Sequence, residues 1–481
     1  MKGIFSYGLA TIIERFLSFL LVPLLTNFVS KEEYAIWSQI IIITSLLSQG
    51  SLLGFSQSTI KFLPEFEKNK NLLNSFTLFI VLTPLIIIMI IASIIFFMND
   101  NFSILFFNDL KNKKFLFPLL FCTISETFFD LIGVSLLRAK KLINKCSFYL
   151  IVKSSVRIGF MFFFLVILNQ GFFKSVLIFS LVQVAFVLTI VFIELNFKEI
   201  IKSTFKPIKP KILSIFKFSL PLAFYSFTVF LNNFLDRFII SHFLGLEQLA
   251  LYAATFSFCA LSVFFYSVIG FTLFPHLSDL IAKKNYQLAA DLMTKSFSVY
   301  VAFILPFVLT TSFIGSNTLS IFSGSNFFVP NSLFFALSTS LGLFGCFQIF
   351  IYPYIIINGT LKLPLLLIVS VIINIFVNLI TLPILGILGS GIAQICSNLF
   401  LSFYLFFLSK KSINWTPNYY FIFLAFVKTF LLYLFIMAFI SFFDMNSIVN
   451  FATFIIIILV LFLILDLATK NNSVIKILRS F

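Results

Sequence analysis

Apolar runs follow one another along almost the whole chain, each about 20–29 residues long and closed by a charged or turn-forming cluster. They lie near 4–28, 35–58, 72–98, 115–138, 147–168, 172–195, 213–241, 248–276, 293–315, 329–357, 363–383, 386–408, 418–441 and 449–469. A membrane-spanning helix needs about 20 apolar residues, so the pattern predicts about fourteen transmembrane helices. The runs are far longer than the roughly 10-residue alternating strands of a membrane barrel. The expected fold class is therefore an all-α integral membrane protein. Only 10% of residues are charged and 60% are hydrophobic, against about 25% charged in a soluble domain. Too few charges remain to wet a surface, which excludes a cytosolic enzyme, a nucleic-acid-binding domain and a disordered scaffold.

The net charge of +16 reads as loop charge rather than as a nucleic-acid footprint. With the N-terminus placed in the cytoplasm, six of the 33 Lys and Arg lie within spans and five (Lys31, Lys111, Lys113, Lys114, Lys174) lie outside. The remaining 22 fall on cytoplasmic connections, as the positive-inside rule requires. One helix more or fewer midway would scramble that asymmetry, so both termini are expected inside. The first apolar stretch carries Glu14-Arg15 at its middle and is too long for a signal-peptide core, so no cleavable signal is expected. Cys122, Cys146, Cys259, Cys346 and Cys396 form no CxxC and read as small core residues. His242 and His276 have no partners at ligand spacing, so no metal and no other cofactor is assigned.

The longest basic connection, 196–212, carries Pro207 and Pro210 after the sixth span. It divides the chain into an N-terminal six-helix lobe (1–212), a second six-helix lobe (213–409) and an appended helix pair (410–481). Six is even, so the lobes share an orientation, related by an axis along the membrane normal. The turn after span one (Lys31-Glu32-Glu33-Tyr34-Ala35-Ile36-Trp37) is echoed after span seven (Gly245-Leu246-Glu247-Gln248-Leu249-Ala250-Leu251-Tyr252).

Ionisable side chains inside a membrane cost about 2.5–3.5 kcal/mol on insertion scales and mark transport paths or partner contacts. The candidates are Glu14-Arg15 in span one, Glu126 and Asp130 in span four, Lys153 and Arg157 in span five, and Asp236-Arg237 in span seven. Spans four and five form an antiparallel hairpin turning near residue 142. Residues at equal depth in such a hairpin have a constant index sum, which pairs Glu126 with Arg157 and Asp130 with Lys153. Two functions fit: ion pairs that hold two helices together, or a charged cavity wall. Arg15 and Arg157 suit a phosphate, because a guanidinium fork matches phosphate oxygens, and Lys153 adds a point charge. Glu14, Glu126 and Asp130 suit a coupling proton or sodium ion. Lys428, in the appended pair, is long enough to snorkel. Pro23, Pro84, Pro221, Pro306 and Pro353 bend their helices, and Pro23, after the Glu14-Arg15 centre, is the candidate hinge.

The stretch from Ser6 to Trp37, with Glu14-Arg15, Pro23-Leu24-Leu25-Thr26 and Glu33-Tyr34, has a counterpart at the start of the second lobe. There Lys217-Phe218-Ser219-Leu220-Pro221 leads through Asn232-Asn233 and Leu235-Asp236-Arg237 to Phe243-Leu244-Gly245 and Leu251-Tyr252. Both resemble the polysaccharide biosynthesis (oligosaccharide flippase) family, relatives of the multidrug and toxin extrusion transporters. The resemblance implies a two-lobed transporter of the bacterial cytoplasmic (inner) membrane, alternating between inward- and outward-open states. The implied cargo is a polyprenyl-diphosphate-linked oligosaccharide for O-antigen, capsule or exopolysaccharide. The implied partners are membrane lipids, with a polysaccharide polymerase and a chain-length regulator as candidates, and no nucleic acid. By position it places Arg15 in a basic central cavity and Asp236-Arg237 at the start of the second lobe. The family's usual glycine in the turn after span one is absent here (Ser30-Lys31-Glu32). The competing readings are a cation-coupled multidrug exporter, which needs chiefly carboxylates and aromatics, and a membrane polymerase or glycosyltransferase. The latter needs a sizeable outer loop, whereas the connection 316–328 is short and uncharged.

Overall fold

A computed structural model describes residues 2–195, 199–200, 202–358, 363–439 and single positions between 453 and 466. The described residues are helical throughout, with no strand. In chain order the helices are α1 (Lys2–Phe28), α2 (Lys31–Leu52), α3 (Phe55–Phe66), α4 (Lys70–Phe97), α5 (Asn99–Phe107), α6 (Leu116–Phe128), α7 (Leu137–Ala139), α8 (Ile143–Phe162) and α9 (Phe172–Glu194). They continue with α10 (Lys209–Cys259), α11 (Val263–Ala282), α12 (Tyr286–Ser323), α13 (Asn331–Asn358), α14 (Leu363–Leu385), α15 (Ile387–Ile413) and α16 (Tyr419–Phe439).

Among the described residues, twelve helical stretches are long and apolar enough to cross a membrane. One of them, Lys209–Ala282, has 74 residues, about 110 Å at 1.5 Å per residue against a hydrocarbon layer of roughly 30 Å. It breaks at Gly245, whose φ of 81° and ψ of 178° are not helical, and so supplies two crossings. The spans expected at 213–241 and 248–276 are these two. The division between 363–383 and 386–408 also stands: Gly386, at φ 59°, separates α14 from α15. The fourteenth span, 449–469, lies largely outside the described residues.

Packing divides the chain into two compact units, Met1–Ala250 and Leu251–Phe481. In the first, α1 lies along α8, and α6 packs against α2 and α9. The second span is not one helix. It turns at Leu53 and Gly54, both with positive φ, and α3 continues it. Around that elbow Phe55, Phe76 and Phe129 are buried with Leu131, Ile132 and Leu137 in one apolar core. The turn before α2, which lacks the expected glycine, is closed by a capping box. Ser30 Oγ accepts from the Glu33 backbone N–H, and the Ser30 N–H donates to the Glu33 carboxylate at 3.0 Å. Reciprocal capping of this kind satisfies two otherwise orphaned helix-end donors.

At the start of α4, Lys70 Nζ lies 2.8 Å from Glu199, which also accepts from Asn74 at 3.3 Å. These bonds hold the Glu199 carboxyl below the usual carboxylate range. A depressed carboxyl stabilises above its unfolded pKa, so this tie weakens as pH falls through the folded value. Its exposure to water keeps the contribution small.

The second unit is held by neutral polar groups. Ser390 Oγ donates to Asn378 Oδ1 (2.5 Å), Asn378 Nδ2 to Asn374 Oδ1 (3.0 Å), and Asn398 Nδ2 to Ser340 Oγ (2.9 Å). All five residues are buried. A Cβ on Gly389 would come within 2.5 Å of the Thr381 backbone, so α14 and α15 approach as only small residues allow.

The appended helices contain a buried ion pair. Lys428 Nζ, on α16, lies 2.8 Å from Asp466 Oδ1, with side chains 8% and 2% exposed. Lys428 therefore does not snorkel to the interface. Breaking a buried pair strands a charge at about 3–5 kcal/mol. Asp466→Ala is expected to lower the melting temperature of the detergent-solubilised protein sharply, and Lys428→Met with Asp466→Leu to restore most of it. An unchanged melting temperature in the single variant would show that the pair does not anchor the helices.

Candidate functional site

The charged side chains of the first lobe gather on three helices. α6 runs into a π-helical segment, Phe129–Leu136, before α7. Lys153, on α8, places Nζ 2.6 Å from Glu126 Oε2 and 4.1 Å from the centroid of the Phe129 ring. The Lys153 side chain is 7% exposed and that of Glu126 is 32% exposed. The ammonium is thus enclosed, while its partner keeps an open side.

This pairing differs from the register expected of two regular helices. Glu126 bonds Lys153 and not Arg157, and Asp130 does not bond Lys153. The π-helical segment accounts for the difference. Its i→i+5 pattern winds more residues into each turn, so the chain climbs less between Glu126 and the turn near Lys141. Glu126 therefore sits level with a residue nearer the turn on α8. Such π-helical insertions occur often at functional sites.

The shift leaves Arg157 with no carboxylate at ion-pair distance among the described residues. Its Nη2 donates to Ser18 Oγ of α1 at 3.3 Å, and it is half-buried. Sequence reasoning missed Ser18, whose only signal is its position one turn after Glu14 on the same face of α1. Arg15 is exposed, Glu14 and Asp130 are half-exposed, and none of the three forms a hydrogen bond or ion pair among the described residues. Asp130 lies within electrostatic reach of both Glu14 and Glu126. The cluster thus holds one ion pair, with two further cations and two further carboxylates outside it; Glu126 is also within electrostatic reach of Arg157, and Asp130 of Lys153.

Asp236 and Arg237 sit apart in character. Both are buried, at 0% and 3% exposure. The Arg237 guanidinium lies 3.5 Å from Asp236 Oδ1, donates to the Asn233 carbonyl at 3.0 Å, and stacks 4.8 Å from the Phe234 centroid. These contacts lie within its own helix.

Pro23 stands inside α1, which continues to Phe28. Proline removes one backbone donor and bends the helix. Thr26 Oγ1 donates to the Val22 carbonyl at 2.9 Å and Asn27 Nδ2 to the Pro23 carbonyl at 2.7 Å. Side chains thus supply donors to the carbonyls around the bend.

Among the described residues no group of three or more His, Cys, Asp or Glu is placed to hold a metal ion. All five cysteines are free thiols. What the three-helix cluster offers is charge: guanidinium donors with spare capacity for an anion, and carboxylates able to bind a small cation or a proton.

The fold has known counterparts. The structure of the lipid II flippase MurJ in an inward closed conformation aligns over 97% of this chain and 99% of its own, with a TM-score of 0.74 and 16% identity. A MATE transporter from Vibrio cholerae aligns over 86% of this chain and 97% of its own (TM-score 0.59, 14% identity). An inward-facing multidrug resistance MATE family transporter of the MOP superfamily gives 86%, 98%, 0.62 and 14%. These likenesses establish the fold. No curated protein sequence matches the chain. The sequence itself matches the family described as polysaccharide biosynthesis protein over residues 1–281, more than half its length. The chain, a multi-spanning helical membrane protein with the fold shared by MurJ and MATE transporters, belongs to the polysaccharide biosynthesis protein family.

Proposed function

We propose that this protein is a flippase that moves a polyprenyl-diphosphate-linked oligosaccharide from the cytoplasmic to the outer leaflet of a bacterial cytoplasmic membrane, supplying surface polysaccharide synthesis. It acts by alternating access and not as an enzyme. The observation that carries this reading is Arg157. It is a half-buried guanidinium in a membrane helix whose one hydrogen-bond partner among the described residues is a neutral hydroxyl. A guanidinium has five donors, so most of its capacity is left for a ligand, and an anion is the ligand that offsets its desolvation. A diphosphate supplies such an anion. Arg15 adds a second cation on the neighbouring helix, and Lys153 tunes the field while paired to Glu126. Arg237 is a further cation of the same set, buried on its own helix. Glu14 and Asp130 are the carboxylates through which a proton or sodium ion would couple, Asp236 balances Arg237, and Pro23 lets α1 bend as the site changes access. The lobes 1–212 and 213–409 are the topological repeats of this machine, and 410–481 is an appended pair.

The test is flipping by purified protein in liposomes, with a fluorescent polyprenyl-diphosphate oligosaccharide placed in one leaflet. Protein-dependent loss of protection from the opposite side is expected, and the monophosphate analogue should be moved more slowly. Equal rates with and without protein would refute the function. Orientation has its own check. Cysteines placed at Lys31 and Phe205 should be labelled by impermeant thiol reagents from opposite sides of the membrane, Phe205 from the cytoplasm. Labelling from one side contradicts the topology.

A further inference from the structure

The helix that opens the second sequence repeat is tied at both ends to the first repeat. Near its start, Gly54 stands in the elbow between α2 and α3 with φ +76°, and a Cβ there would collide with the Ser219 carbonyl oxygen and lie 3.1 Å from the Ala223 nitrogen. Two backbones are in direct contact, which only glycine permits. Around this point the Phe216 ring lies 5.7 Å from Phe55 and 5.9 Å from Phe79, and Phe218 meets Phe62 edge-on at 5.8 Å. Lys61 Nζ sits 4.0 Å over the Phe218 ring. At the other end, Asn108 Nδ2 donates to the Ser241 carbonyl at 3.0 Å. Packing accordingly assigns everything up to Ala250 to the first unit.

Four residues beyond Ser241 the helix breaks at Gly245. Its φ of 81° and ψ of 178° belong to a backbone region that is essentially glycine-only. No neighbouring atom lies within 4 Å of the place a Cβ would occupy, so glycine is needed here for conformation and not for close approach. A second feature coincides with this break. Between Gln248 and Ser409 the charged residues are Asp279, Lys283, Lys284, Asp291, Lys295 and Lys362. Asp279, Lys283 and Lys284 lie at or just past the end of α11, and Asp291 and Lys295 in the N-terminal part of α12; apart from these and Lys362, the sequence after Glu247 carries no charge up to Lys410.

We propose that the moving bodies divide at Gly245 and not at the basic connection that separates the sequence repeats. Residues 209–244 travel with the first six spans, and Gly245 is the hinge. The consequence rests on the flippase reading. Arg15, Lys153, Arg157 and Arg237 then ride in one body, which carries the anionic headgroup throughout the cycle. The rest of the second lobe, with no charge in the middle of its apolar runs, then supplies no second phosphate site.

The test reads distances and export separately. Spin labels at Lys31 and Lys217, both within the first body, should give one distance with or without a polyprenyl diphosphate in liposomes. Labels at Lys217 and Asp279, one on each side of Gly245, should give a distance that shifts on adding the lipid. A moving first pair beside a static second pair overturns the assignment, as does no shift in either. In cells lacking the native five cysteines, Asn108→Cys with Ser241→Cys, and Phe62→Cys with Phe218→Cys, are oxidised after assembly. Export should keep at least about half its rate; arrest on cross-linking overturns the proposal. Gly245→Ala should assemble and slow export at least about fivefold, and a wild-type rate removes the hinge. If the uncross-linked variants and the parent protein all fail to restore polysaccharide to a deletion strain, the flippase reading falls while the distance test still decides the hinge.

Discussion

Arg157→Ala is expected to abolish surface polysaccharide export while the protein remains inserted and nearly as stable as the parent. The two effects separate because the protein itself uses so little of this side chain. Removing it costs the fold one hydrogen bond to Ser18, about 1 kcal/mol net, and relieves the desolvation of a cation. Removing it from a bound diphosphate costs the ligand a planar fork of charge-assisted bonds, about 1.5–3 kcal/mol each. Two such bonds correspond to a loss of roughly a hundredfold or more in transport efficiency. Arg157→Lys should recover little, because an ammonium lacks the fork. Arg15→Ala should behave alike in transport and leave stability unchanged, since Arg15 is exposed and bonds nothing among the described residues. Export rate in a deletion strain, protein abundance and melting temperature are the three measurements. Normal polymer from both alanine variants would remove these arginines from the mechanism.

The helical class and the placement of the described spans were legible in the sequence because a membrane imposes one dominant rule. Backbone groups must be satisfied within each span, so length and apolarity suffice to find the spans. The register of the charges was not legible. Equal-depth pairing assumes a constant rise per residue, and nothing in Phe129-Asp130-Leu131-Ile132-Gly133 announces a π-helical segment. Asp466 was overlooked as the partner of Lys428 because one acidic residue near the end of an apolar run reads as its boundary. The turn after span one forms without the family's glycine because Ser30 and Glu33 close it with a capping box. The tie between Gly54 and Ser219 could not be read from either stretch alone, since it depends on two backbones far apart in sequence.

The pair Glu126–Lys153 makes an asymmetric prediction. Its members are unequally enclosed: the ammonium is 7% exposed and the carboxylate 32% exposed. Lys153→Met leaves a carboxylate with an open side, which water can solvate. Glu126→Ala leaves a buried ammonium with no ion-pair partner among the described residues; the Phe129 ring 4.1 Å away and the more distant Asp130 carboxylate compensate it in part. A cation–π contact contributes about 2 kcal/mol when desolvated, against the 3–5 kcal/mol typical of breaking a buried pair. Glu126→Ala should therefore destabilise by several kcal/mol and Lys153→Met by clearly less, as read from melting temperatures of the purified protein. Exchanging the two residues, Glu126→Lys with Lys153→Glu, separates pairing from transport. If the pair only joins α6 to α8, stability and export both return. If the Lys153 charge must face the headgroup from α8, stability returns and export does not. The second outcome is expected, because the exchange sets a carboxylate on the same helix as Arg157, four residues away, where it competes with the diphosphate for the guanidinium. Recovery of export in the exchanged protein would reduce Lys153 to a structural partner and leave Arg15 and Arg157 as the anion site.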